Sequence, residues 1–208
     1  MVKTITAIAM FICTMGFSQT KYDDGMKKAF ELWGQGKNTE ASAVFERIAS
    51  AEPKQWLPNY YVAMINTVAS FSTKDRAQVS ALLEKSQNAL DVELLKNPNN
   101  AELLVMQAMI FTGWVVFDPM TNGMKYSTQI IDLYDQAQKL DPANPRAVFG
   151  KAEYEIGGAA YFGTDTTPMC KEIQRSIPMF DVYKPESLYH PKWGKDRAEE
   201  ALKSCGKK

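Results

Sequence analysis

The residues able to do chemistry in this sequence are few and scattered. One histidine, His190, stands in Tyr189-His190-Pro191-Lys192-Trp193, and the cysteines are Cys13, Cys170 and Cys205. A lone histidine cannot supply a zinc set, and neither Cys-x-x-Cys nor His-Glu-x-x-His accompanies it. Cys170 and His190 would be the available nucleophile and base, yet nothing around either resembles a nucleophile motif. His190 therefore reads as a loop histidine ahead of a proline. Asp118-Pro119-Met120-Thr121-Asn122-Gly123 offers oxygen ligands but lacks the alternating acids and distant glutamate of a calcium loop, and reads as a surface turn. Gly157-Gly158-Ala159-Ala160 lacks the Gly-Lys-Ser/Thr ending of a phosphate loop and continues a helical pattern, so its small residues predict a close helix crossing. Glu199 and Glu200 are adjacent, about 100° apart on a helix, and suit a solvated face better than an acid and base pair. No catalytic residue, metal or cofactor is expected, and the chain reads as a binding protein and not an enzyme.

Charge narrows the partners. With 24 basic and 24 acidic residues the net charge is zero, so there is no electrostatic footprint for a nucleic-acid backbone. At the N-terminus Lys3 precedes the apolar run Ile5 to Phe17, followed by Ser18-Gln19-Thr20. This is the layout of a bacterial secretory signal peptide, too short to span a membrane, with the cut expected after Ser18. The alternatives are an uncleaved anchor and lipidation of Cys13, the latter disfavoured by Ile12, where such signals want a small residue. A periplasmic or secreted protein with no membrane span follows. Loss of the leader leaves Cys170 and Cys205, which in an oxidising compartment form either one disulfide or two separate half-buried thiols.

The elements that must hold these residues show a repeat. Pro53, Pro98 and Pro142 are each followed ten residues later by an alanine: Ala63, Ala108 and Ala152. Each proline can end the loop after one helix, and each alanine then lies within the next, where a small side chain lets helices approach. Phe45, Leu90 and Tyr134 stand eight residues before the prolines, and Ala41, Ser86 and Ile130 twelve before, on one helix face. Near the C-terminus Ala198, Ala201, Leu202 and Cys205 form one stripe, as a capping helix requires.

Leu32, Gly36, Ala41, Phe45 and Pro53, and then Ala108, Phe111, Tyr134, Ala137 and Pro142, resemble the tetratricopeptide repeat (TPR) family over roughly residues 22–185. The resemblance implies an all-α, right-handed solenoid of about four antiparallel helix pairs, at about 22–53, 56–98, 101–142 and 145–185, with a cap over 195–205. The prolines lie about 45 residues apart against ~34 in the family, which implies inserted helix or loop, one insertion falling at Asp118 to Lys125. Ser86 and Glu93 stand where small or apolar residues are usual, and Lys151 and Glu155 lie on the first helix of the fourth pair.

Aromatic residues are in surplus: Trp56, Tyr60 and Tyr61 open the second pair, Trp114 and Phe117 close the first helix of the third, and Tyr154, Tyr161 and Phe162 follow in the fourth. In the family, first helices line a concave face. Carried onto this chain the inward rows are Tyr60, Val105, Phe149 and Met64, Met109, Glu153, a Met and aromatic surface suited to a protein or peptide partner or else to packing between pairs. The runner-up expectation is a module that holds a small ligand, a glycan or lipid, in an aromatic-lined pocket.

Overall fold

A computed structural model of the chain describes residues 21–205, with the side chain of Ala160 excepted. The leader, its cleavage site and Cys13 lie outside the described residues. Among those residues there are nine helices and no strand. Helix α1 covers residues 21–34. It is followed by α2 (Asn38–Ala51), α3 (Leu57–Ser70), α4 (Arg76–Lys96), α5 (Ala101–Phe117), α6 (Pro119–Leu140), α7 (Pro145–Phe162), α8 (Thr167–Val182) and α9 (Lys195–Ser204). Successive helices pack as neighbours, while α3 meets α5 and α5 meets α7, so the first helices of the pairs line up side by side. This is the all-α solenoid that the repeat implied.

The register read from the prolines follows the packing. Ala63, Ala108 and Ala152 are buried, as are Phe45, Leu90, Tyr134, Ala41, Ser86 and Ile130. The turns repeat as well. The side chains of Asn100 and Asn144 accept the first free N–H groups of α5 and α7, and Asp75 and Asp118 do the same for α4 and α6; each such cap contributes roughly 1 kcal/mol. Ser86 sits in the core because its hydroxyl donates to the Ala63 carbonyl at 3.0 Å, and buried Glu93 accepts from Asn59 at 2.7 Å. Lys151 reaches Asp135 of the preceding helix at 2.6 Å.

One expectation is corrected. Asp118 to Gly123 is not a surface turn: Asp118 caps α6, Pro119 occupies its first turn, and the segment is helical from there on, so the insertion is helix. Proline lacks the N–H that a first turn cannot use, and its fixed φ is already helical. The long repeat thus comes from long helices, α4 at 21 residues and α6 at 22.

Cys170 and Cys205 are joined in a disulfide that ties the start of α8 to the end of α9. Between these helices, residues 183–194 run as an irregular strap back across the stack. Gly194 turns the strap into α9 at φ 115°, where an added Cβ would lie 2.9 Å from the Phe180 ring.

Candidate functional site

Two edges of the solenoid compete as sites. At the first, the N-terminal ends of α3, α5 and α7 meet the strap. Glu102 opens α5 and Arg146 opens α7; both are buried, with Arg146 Nε 2.9 Å from Glu102 Oε2. Asn144 donates to the same carboxylate at 2.7 Å. The strap roofs this pair: the Tyr183 ring lies 4.9 Å and the Trp193 ring 5.9 Å from the guanidinium. Burial works against the charge of Arg146, but the hydrogen bonds and charge of Glu102 outweigh it and hold the guanidinium cationic. Trp193 also donates to the Tyr60 hydroxyl at 2.8 Å, Tyr61 donates to the Tyr189 carbonyl at 2.7 Å, and Tyr189 donates to the Asp23 carbonyl at 3.0 Å. Burial, then Glu102, pushes the Tyr60 phenol well above its usual range, so it stays protonated. The strap therefore spans from α7 to α1.

This decides the fate of the rows expected to line a groove. Tyr60, Met64, Val105 and Phe149 are buried, Met109 and Glu153 are half-buried, and the six are not brought together. Tyr60, Met64 and Met109 belong to the core of the first pairs, Val105 to that of α5 to α7, and Phe149 to that of α7 to α9. Glu153 accepts from Arg197 of α9 at 2.6 Å. The rows pack between pairs because stacked helices need large side chains there, and the expected groove residues are interior. His190, read as a loop histidine, is in the strap but buried, edge-on to Trp56 at 5.5 Å between ring centres. Burial holds its imidazole below the usual pKa.

The second edge, where α5 and α7 end and α6 begins, is built the other way. Met120 is 85% exposed, Met124 92%, Tyr161 78% and Phe162 83%, and Val116 is exposed beside them. α6 and α7 touch where Tyr154 donates to Ser127 at 2.9 Å. A Cβ on Gly123 or Gly157 would meet nothing, and one on Gly158 would meet only Phe162 of its own helix. The expected close crossing at Gly157 and Gly158 is therefore absent. Each glycine still costs the helix about 1 kcal/mol against alanine, with no packing to offset it. Phe111 of α5 stacks on Tyr126 of α6 at 4.4 Å. Arg76 lies 4.4 Å over the Phe117 ring and 3.9 Å from Asp118, and Lys125 lies 4.6 Å over Tyr126.

The sequence shows Tyr161 and Phe162 within an aromatic surplus suited to core or groove without singling them out, and it misses Met120 and Met124, because Asp118-Pro119 also fits a surface turn. It misses the strap too. The available signal is Tyr189, His190 and Trp193 within five residues, more ring surface than a solvated linker carries. No group of three or more His, Cys, Asp or Glu side chains is placed to hold a metal ion among the described residues, and no described helix is long and apolar enough to cross a membrane.

No family model matches the chain, and no curated protein is similar to it in sequence. Two solved structures share its fold. The HusA haemophore from Porphyromonas gingivalis superposes with a TM-score of 0.76 at 22% identity, over 89% of this chain and 92% of that one. TTC0263, a thermophilic TPR protein in Thermus thermophilus, does so with a TM-score of 0.61 at 12% identity, over 77% of this chain and 75% of that one.

Proposed function

We propose that this protein is an exported, non-catalytic binding protein that carries a flat, largely apolar ligand of the haem type on the edge formed by the ends of α5 and α7 and the start of α6. The observation that carries the reading is the exposed set Met120, Met124, Tyr161 and Phe162 around Gly123, Gly157 and Gly158, where nothing of the protein itself packs. Large apolar side chains facing water gain no stability, and a set of them at one end of the stack suits a binding surface. Side-chain-free backbone beside it lets a planar ligand lie close. Arg76 and Lys125 suit a ligand with an anionic rim, methionine and tyrosine are side chains able to ligate haem iron, and the likeness to a haemophore supports the ligand class. The disulfide agrees with an oxidising compartment, as does the leader-like N-terminus.

A second reading, a helix or peptide of a partner protein on the same edge, is favoured by the pair Met120 and Met124, whose flexible thioethers adapt to varied surfaces. Titration with ferric haem, followed by the Soret band and by tryptophan fluorescence, separates the two. Saturable binding that weakens at least about tenfold in Met124→Glu/Phe162→Glu, the ~1.4 kcal/mol that one lost apolar contact is worth, supports the haem reading. No saturable binding by the parent chain, or equal binding by the variant, rejects it.

A further inference from the structure

The strapped edge holds a separate cleft, independent of the haem reading. It measures about 880 Å³ and opens between the turns Asn97–Ala101 and Leu140–Ala143, the end of α8 and the strap. Three acids line it, Glu102, Asp141 and Glu186, against one base, Lys184. Glu102 is tied to Arg146. Asp141 accepts from the Tyr183 hydroxyl at 2.9 Å and the Ala143 N–H at 3.1 Å, which leaves carboxylate lone pairs free. Glu186 is exposed and enters no described ion pair.

His190 makes the cleft a built site. The residue is 6% exposed, it lines the cavity, and its imidazole makes no hydrogen bond among the described residues. Neither ring nitrogen is sealed from solvent, so the cleft is lined by a residue with an unpartnered polar group. Burial lowers its pKa first; Glu102, Glu186 and Asp141 act to raise it and Arg146 to lower it. At neutral pH the ring is uncharged and one nitrogen offers a lone pair. Leu140, Met179 and Val182 supply an apolar wall.

We propose that this cleft binds a primary alkylammonium group on an apolar stem, its N–H bonds going to Asp141, Glu186 and the His190 ring while the stem lies on Leu140, Met179 and Val182. A lysine side chain of a partner and a free diamine share this chemistry. An anion would face the carboxylates, and a neutral polyol would leave them without a countercharge.

The test is an amide-resolved NMR titration of the disulfide-bonded protein at pH 7.5 with 1,5-diaminopentane, with acetyl-Gly-Lys-Gly-amide and with the neutral isostere 1,5-pentanediol. Shifts at Asn97 to Glu102, Tyr183 and His190 that saturate with an ammonium probe and not with the diol are expected. Tighter binding of the peptide assigns the source to a protein lysine, tighter binding of the diamine to a free amine. Glu186 is exposed, so Glu186→Gln leaves the fold intact and weakens binding about fivefold, the worth of one solvent-facing charge pair. Acidification through the His190 titration weakens it further, because the imidazolium repels the probe. Equal binding of the diol, no saturable shift with either ammonium, or unchanged affinity in both Glu186→Gln and Asp141→Asn overturns the proposal.

Discussion

The same helices end in two opposite ways. At their N-terminal ends α5 and α7 are capped and ion-paired, the strap crosses them and α3, and the Tyr60, Trp193, Glu102 and Arg146 side chains all find partners there. At their far ends α5 and α7 leave Val116, Tyr161 and Phe162 in water, with Met120 and Met124 beside them. One edge follows the folding rules and the other breaks them. A fold departs from its own rules where something besides stability is selected, and the open edge, where the haem-type ligand is proposed to lie, is the one that departs.

The comparison breaks most visibly at the ion pair. Arg146→Met leaves the Glu102 carboxylate buried without its partner, and urea unfolding is expected to show a loss of about 3 to 5 kcal/mol; a loss under ~1 kcal/mol would mean that the strapped edge is wet and not sealed. Cys170→Ala/Cys205→Ala, compared with the oxidised parent, should cost up to about 3 to 4 kcal/mol, since the bridge closes a 35-residue loop that the unfolded chain otherwise explores freely. Trp193→Ala follows at roughly 2 to 3 kcal/mol for a partly buried indole.

How far the sequence can be read tracks the same contrast. Helix pairs, turns and core register are legible because proline, alanine and apolar spacing each report local geometry: Pro98 with Asn100, and Pro142 with Asn144, mark both a turn and a cap. The strap is not legible, since its contacts join Tyr189 to Asp23 and Trp193 to Tyr60 across most of the chain, and no local pattern encodes so distant a pairing. Nor is the open edge. Asp118-Pro119 fits a turn and a helix start equally well, and Gly157 and Gly158 look alike in sequence whether a neighbouring helix or water lies opposite.

Smaller effects sharpen the picture. His190 has a folded-state pKa below its unfolded value because burial disfavours the imidazolium. Between the two values the unfolded chain binds more protons, so stability falls as pH drops from above 6.5 toward the folded pKa. Glu153, whose pKa burial raises despite Arg197, contributes the opposite slope. Subtracting the unfolding profile of His190→Gln from that of the parent isolates the histidine, and the difference should shrink on acidification. The smallest effect is expected at the open edge: Met124→Glu/Phe162→Glu changes surface alone and should shift unfolding by no more than about 0.5 kcal/mol, even as it weakens haem binding. A large destabilisation there would assign those side chains to packing.

Hydrogen exchange of the parent chain with and without ferric haem tests the two-edge account most directly. Added protection confined to amides around residues 111–126 and 154–162, with the strap at 183–194 unchanged, is the predicted footprint. Protection centred on the strap, or strap amides exchanging faster as the ligand displaces them, would contradict it and move the binding surface to the opposite edge.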